Sequence, residues 1–287
     1  MPSHDGAVTN VDAASLPLGY DSDFLDAGVP LPIAIDRPQT VDLAYPHFTV
    51  TLDAGRKLAV VTGVNIDGAE LQDLPRTGEW HFDERVPASD QTGPAVYAAN
   101  DLDRGHLVRR RDPGWGSEPV ARRATEATFA YTNAAPQAAG FNQSKELWLG
   151  LEDHVLLYAD ANDHRVSVFT APVLAVDDPP YRGIRVPRRF WKVAAWAQGD
   201  GSLAAAGFVL DQTHLLELEE GVLAVPPLGA FRTFQVPISD IGALAGVAFG
   251  PLVDADVFTG VETVTGQRWA ELGDPSQIVL FAASPRS

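Results

Sequence analysis

Two stretches about thirty residues apart decide how this chain reads: Asp103-Arg104-Gly105-His106, and Thr132-Asn133-Ala134-Ala135-Pro136-Gln137 running on through Phe141-Asn142-Gln143, Trp148 and Leu151-Glu152. Gly105 lets the backbone turn sharply, so the first stretch reads as a glycine-loosened turn that offers an imidazole as general base beside an arginine. The second offers an asparagine and a glutamate, a donor pair suited to one hydrated hard cation held against a phosphate. Magnesium keeps several of its waters and binds through few protein ligands, so one neutral amide with a carboxylate behind it can suffice. Each residue also has a plainer reading. A lone histidine is most often an ordinary surface or core residue, Asn142 fits the cap of a following helix, and Glu152 fits an exposed helix face.

Composition narrows the classes. With 287 residues, 45% hydrophobic and 21% charged, the chain can bury a large core. Zero cysteines exclude disulfides, thiolate nucleophiles and Cys-ligated metal centres. No apolar run is long enough to span a bilayer, and Met1 to Leu16 lacks the basic start and apolar centre of a secretory signal. No membrane partner is expected, and the chain is expected in the cytoplasm or exported by another route.

The net charge of −17 opposes binding to a polyanion, yet its distribution does not. Arg104, Arg109, Arg110, Arg111, Arg122 and Arg123 share a window with only two acids, Asp112 and Glu118; Arg182, Arg185, Arg188, Arg189 and Lys192 share another with none. A locally basic cleft on an acidic body attracts nucleic acid once salt screens the distant charges. The alternative is that these arginines merely pair with surface carboxylates.

Around the two stretches the pattern is mostly β. Residues 1–40 read as a tail and extended arm, and 41–287 as a single domain. Phe48–Leu52 and Leu58–Val64 flank a turn at Asp53–Arg56 and form a hairpin. Asn65–Ala99 is rich in Gly, Pro and Asp and reads as irregular; it carries Arg76, Trp80, Asp83 and Arg85, and nothing local separates Arg76 from Arg85 as a phosphate-contacting cation. A short extended segment is expected at Ala127–Tyr131, a turn from Pro136-Gln137 to Gly140, and a helix from Lys145 to Tyr158. In one regular helix Asn142 and Glu152 would stand roughly 15 Å apart, so sharing an ion requires Asn142 in a turn folded back over that helix. Strands follow at Arg165–Leu174, Pro187–Trp196, Leu203–Leu210, Phe231–Pro237 and Val279–Ala282, with Ser239 capping a short helix through Leu244. The outline is α+β, a mostly antiparallel sheet with few helices. No recognition helix or aromatic stacking ladder is visible, which points away from base-specific readout.

The Asp-Arg-Gly-His signature, followed by Thr-Asn-x-x-Pro-Gln, Phe-Asn-Gln, Trp and Leu-Glu, resembles the DNA/RNA non-specific endonucleases, the ββα-metal nucleases. The likeness extends to Gly19-Tyr20-Asp21, His47-Phe48, Val64–Gly68, Val168-Phe169-Thr170 and Phe190-Trp191-Lys192. It implies a central antiparallel sheet flanked by helices, with the site on a ββα element. By the same resemblance His106 would be the general base, Asn142 the direct magnesium ligand, and Glu152 the holder of metal-bound water, with manganese as a substitute ion. Arg104 and Arg76 would sit near the scissile phosphate. Arg109, Arg110, Arg188 and Asn133 are expected to bind the DNA or RNA substrate. Products would carry a 5′-phosphate and a 3′-hydroxyl, and a homodimer is implied. Two more residues separate Asn142 from Glu152 than in the endonuclease G type, and Leu156 stands where some relatives carry an arginine. The competing reading is a catalytically silent nucleic-acid-binding or scaffold protein on the same fold.

Overall fold

A computed structural model of the chain describes residues 18–138, 165–219, 222–224, 232–258 and 268–280. After strand β1 (Ile33–Ala34), the apolar runs on either side of the Asp53–Lys57 turn form a meander of β2 (Thr40–Tyr45), β3 (Phe48–Asp53) and β4 (Leu58–Asp67). The following stretch is mostly irregular, as its Gly, Pro and Asp content suggests, up to helix α1 (Pro94–Tyr97). Next come β5 (Leu102–His106), helix α2 (Glu118–Ala127) and β6 (Ala134–Ala138), the two strands pairing only with each other.

The chain returns to the sheet in β7 (Arg165–Pro172), makes the small hairpin β8 (Pro180–Tyr181) and β9 (Ile184–Arg185), and continues through β10 (Arg189–Ala197) and β11 (Leu203–Asp211). A second small hairpin pairs β12 (Glu217–Glu219) with β13 (Val222–Ala224). Strand β14 (Arg232–Val236) and helix α3 (Ile238–Ala245) precede β15 (Val247–Ala248), which pairs with β1, and β16 (Ala270–Leu272) lies at the sheet edge. The main sheet has eight strands in the order β16-β14-β11-β10-β7-β4-β3-β2, every neighbour antiparallel. This is the α+β outline with a large antiparallel sheet and few helices.

Both faces of the sheet are covered, which is why its central strands are apolar without alternation. Gly63, Phe169, Val193 and Gly207 lie in one cross-strand row. On that face Tyr20 and Leu31 of the N-terminal arm pack over Gly63, and Ile238 and Ile241 of α3 close on Gly207. A Cβ on Gly207 would stand 2.8 Å from Ile241, so only glycine admits the helix at this depth. The opposite face carries the β5–β6 hairpin and the short turn Tyr131–Asn133 that enters it.

Several local expectations give way. Ala127–Tyr131 is the end of α2 and a turn, because α2 occupies the run after the Ser117-Glu118-Pro119 start, with its proline in the first helical turn. Pro136 and Gln137 are strand residues opposite Arg104 and Asp103. Ser239 does not cap α3: Pro237 holds the cap position without a side-chain bond, and Ser239 hydroxyl bonds Asp240 instead. Val279 and Leu280 are not in a strand; the edge is taken by β16, and the expected Phe281 and Ala282 lie outside the described residues. The helix expected at Lys145–Tyr158 also lies outside them. Among the described residues no helix is long and apolar enough to cross a membrane.

Phe169 is fully buried at the crossing of the sheet with Gly63 and Tyr20. Phe169→Ala is expected to lower unfolding free energy by about 3–5 kcal/mol, read from the midpoint shift in urea denaturation at constant slope.

Candidate active site

His106 ends strand β5, and the backbone that follows it is fixed by one buried side chain. Asn133 is 0% exposed. Its Nδ2 donates to the carbonyls of Val108 and Thr128, both at 2.9 Å, and its Oδ1 accepts from the Val108 amide at 2.9 Å. The carbonyl of Asn133 accepts from Leu107 at 3.0 Å. The expected substrate contact at Asn133 is therefore corrected: both amide hydrogens and the oxygen are engaged inside the protein, and the side chain holds the segment that follows His106.

Gly105 is likewise not a turn. It sits in β5 with ordinary strand pairing to Ala135, and a Cβ would fall inside the carboxamide of Gln137. A side chain here would displace the Gln137 carboxamide from its present place, and no positive φ is involved. The other end of the hairpin is pinned by buried Gln212, which donates to the carbonyls of Pro136 and Pro187 and accepts from the Ala138 amide at 3.1 Å.

Around His106 an aromatic wall stands where no aromatic ladder was expected. Trp80 lies 4.6 Å from the imidazole and Phe129 5.0 Å, edge-on at 88°. Trp80 in turn stacks on Tyr131 at 5.8 Å, and Phe82 meets Tyr131 at 5.0 Å. The segment carrying Trp80 is held in place by backbone bonds from His81 to Phe129 and from Tyr131 to His81. Trp80 belongs to a stretch without periodicity, so only its residue type marked it; an isolated tryptophan in a polar run is the one available signal.

The charged groups sort themselves by partner. Tyr45 hydroxyl donates to Asp83 at 2.5 Å and shares a hydrogen bond with Thr132 at 2.7 Å. Arg85 binds the same carboxylate at 2.6 Å, bonds the Ala44 carbonyl and lies over the Tyr45 ring. Burial alone would raise the Asp83 pKa, but Arg85 and Tyr45 hold it at about 2. Arg85 is thus committed to a buried network under the site. Arg76 is exposed and makes no ion pair among the described residues. Arg110 bonds the carbonyls of Leu74 and Pro75, just before Arg76.

Burial lowers the His106 pKa, and the positive charges of Arg76, Arg109 and Arg110 lower it further, to about 4. The imidazole is consequently neutral across the ordinary pH range, and its Nε2 is buried with no hydrogen-bond partner among the described residues. Arg104, two residues before it, lies over the Tyr97 ring at 5.2 Å, and its Nε is also unpartnered among them. Arg188 lies elsewhere: its guanidinium bonds Asp177 at 3.2 Å and the Asp177 carbonyl. Asn142 and Glu152 lie outside the described residues. What the described part assembles is a neutral imidazole packed against Trp80 and Phe129, with an unpartnered buried Nε2, in the field of Arg76, Arg109 and Arg110.

Sequence comparison gives this arrangement a family. The profile of the DNA/RNA non-specific endonucleases matches residues 34–256, most of the chain and all of the described site. The chain belongs to that family. It is 38% identical over 270 residues to the uncharacterized protein y4fB of Sinorhizobium fredii (strain NBRC 101917 / NGR234), covering 85% of this chain and 41% of that protein. Mitochondrial endonuclease G of Bos taurus is 26% identical over 185 residues, covering 60% of this chain and 56% of its own. Nuclease C1 of Cunninghamella echinulata var. echinulata is 26% identical over 185 residues, covering 60% and 66%. The chain thus spans less than two thirds of each of these relatives. Among solved structures, EndoG in its complex with EndoGI superposes with a TM-score of 0.58 at 19% identity, over 80% of this chain and 91% of that one. That likeness shows the fold, the ββα-metal nuclease architecture.

Two measurements follow from this geometry. Asn133→Ala leaves the Val108 amide and two carbonyls unpaired in the interior, and is expected to destabilise the protein by about 2–4 kcal/mol in urea unfolding. Arg76→Ala removes a positive charge near His106, so protonation becomes easier and the histidine pKa rises toward 6.5; NMR titration of the imidazole reads the shift directly.

Proposed function

We propose that this chain is a magnesium-dependent endonuclease that hydrolyses phosphodiester bonds in DNA and RNA without base specificity. The observation that carries the reading is the neutral His106 imidazole with its buried, unpartnered Nε2, in the field of three arginines on a chain whose net charge is −17. Family membership and the names of the two nuclease relatives support it.

An open nitrogen kept neutral is what a general base needs, and its low pKa in the free protein has a purpose once the substrate is included. A phosphodiester placed among Arg76, Arg109 and Arg110 offsets the charges that help depress the histidine. The His106 pKa therefore rises on binding, toward the range where proton abstraction is efficient. Nε2 takes the proton of the attacking water as its oxygen bonds phosphorus; the bond to the 3′ oxygen breaks and that oxygen takes a proton from solvent, leaving a 5′-phosphate and a 3′-hydroxyl. Arg76 and Arg104 contact the reacting phosphate, and Arg109 and Arg110 the neighbouring ones. Contacts of this kind read the backbone and not the bases.

The resemblance to the family implies that Asn142 would hold the ion directly and Glu152 through metal-bound water, and both lie outside the described residues. An amide and a carboxylate are oxygen ligands matched to magnesium, with manganese as a substitute, and no thiol or second imidazole competes in the proposed set. When bound, the ion supplies positive charge against the phosphate oxygens.

Cleavage of supercoiled plasmid and of a structured RNA tests the proposal. Wild type with magnesium is expected to degrade both; EDTA abolishes this, and His106→Ala lowers the rate by about 10²–10⁴-fold while circular dichroism stays native. Because His106 acts when neutral, kcat/KM should rise with pH along a limb whose apparent pKa lies well below 6.5. The limb in kcat should lie higher, reporting the bound state. A folded wild type that leaves both polymers intact with magnesium or manganese present overturns the reading.

A further inference from the structure

Away from His106, two adjoining cavities share Arg182 and Ile184 in their walls. One, of about 470 Å³, is lined by Arg56, Arg182, Arg185 and the backbone of the β8–β9 turn. The other, of about 320 Å³, adds Lys57 and Phe82. Four cations line the pair and no carboxylate does, on a chain with 38 acids and 21 bases.

The charges are not equally neutralised. Arg56 is paired with Asp178 at 2.7 Å, a carboxylate only 1% exposed. Arg182 bonds instead to the carbonyls of Ala95 and Ala98, and Arg185 to that of Asp178, at 2.9 Å. A carbonyl orients a guanidinium without cancelling its charge, so both remain full cations, and no carboxylate pairs with either among the described residues. Arg182 also stands at φ +44, followed by Gly183 at φ +82. Positive φ at both central positions is the pattern of a tight hairpin turn that normally takes Asn or Gly first, so an arginine held there is strained. The strain is tolerated where α1 and Tyr181 hold the side chain, its guanidinium 5.1 Å over the Tyr181 ring.

The cavities connect to the candidate site through packed side chains. Tyr181 accepts from Asn100 at 2.9 Å and shares a buried cluster with Tyr97 and Tyr131. Tyr97 carries Arg104 on its face, and Tyr131 stacks on the Trp80 that covers His106. Arg104 and Arg182, neither with a carboxylate partner among the described residues, thus lie on the rings of one aromatic cluster that reaches His106 through Trp80.

We propose that the cavity at Arg182 and Arg185 is a phosphate site, remote from the scissile bond, that takes a backbone phosphate of the nucleic-acid strand lying across His106. The inference rests on the proposed function and adds to it a distal anchor for polymer.

The test uses the full-length His106→Ala protein in EDTA, so that the probe is not consumed, and a fluorescent 30-base-pair duplex. Binding is followed by anisotropy from 50 to 300 mM salt, with and without Arg182→Gln and Arg185→Gln. Loss of one phosphate contact should make the slope of log affinity against log salt shallower by about 0.9 and weaken binding about tenfold near 0.1 M. The corresponding lysine pair should restore most of the slope. Should the double glutamine variant lose its fold, Arg185→Gln alone carries the comparison, since its arginine makes a single bond to a carbonyl. Slope and affinity equal to the His106→Ala parent overturn the inference and leave the His106 reading standing. A parent that binds no polymer at 50 mM salt removes both. Thermal shift with inorganic phosphate separates the sources: if the glutamine pair loses phosphate-dependent stabilisation but keeps the polymer slope, the cavity holds a free anion and the assignment to the strand is wrong.

Discussion

Everything around His106 hangs on the carboxamide of Asn133. Three hydrogen bonds from one side chain fix the chain on both sides of the hairpin, at Val108 and at Thr128, and a fourth from its backbone fixes Leu107. The site loop is thus ordered by a group with no freedom left, because each partner is a buried backbone atom that would otherwise be unpaired. Beneath it the Tyr45, Thr132, Asp83 and Arg85 network ties the same turn to strand β2. A saturated polar network is rigid, since every rearrangement must break a bond before making one. Against this background the buried Nε2 of His106, the Arg104 Nε and the Tyr97 hydroxyl form a local group of polar atoms with no hydrogen-bond partner among the described residues.

The fold was legible where the physics is local. Val- and Phe-rich runs between Asp, Gly and Pro turns marked β3, β4, β7, β10 and β11, and the structure contains all five. The Asp-Arg-Gly-His stretch marked the site because its residue types have few other reasons to adjoin. Long-range packing was not legible. Gly105 suggests a turn when read alone; its role becomes visible only when Gln137, thirty-two residues on, fills the space a Cβ would take. Asn133 invites a surface reading for the same reason, since nothing in its neighbours says that its partners are Val108 and Thr128. Trp80 lies in a segment with no period, and its position against His106 is fixed by backbone bonds to Phe129 and Tyr131. Helix α2 was hidden because its arginines drew attention as charge, while the small residues Ala121, Ala124 and Thr125 supply its buried side.

The same sorting explains which arginines belong to architecture. Arg37 with Asp53, Arg56 with Asp178 and Arg85 with Asp83 are each paired with a largely buried carboxylate. Removing the arginine would strand a buried carboxylate in each case, so these pairs fix geometry. Arg76, Arg182 and Arg185 have no such partner among the described residues. Counting arginines in the sequence could not separate the two groups, and it placed Arg85 beside Arg76 as equals.

An acidic body with a local group of unneutralised arginines has a consequence for how a polyanion would meet it. At physiological salt charges are screened over about 8 Å, so the −17 total repels a distant strand only weakly, while at contact the strand feels the nearest groups. The excess of carboxylates over basic groups then disfavours dockings away from the arginines. Net acidity and local basicity are therefore complementary: the first removes unproductive orientations, and the second fixes the productive one with His106 beneath it. A uniformly basic chain would bind the same polymer faster and in more ways, most of them placing the strand away from His106.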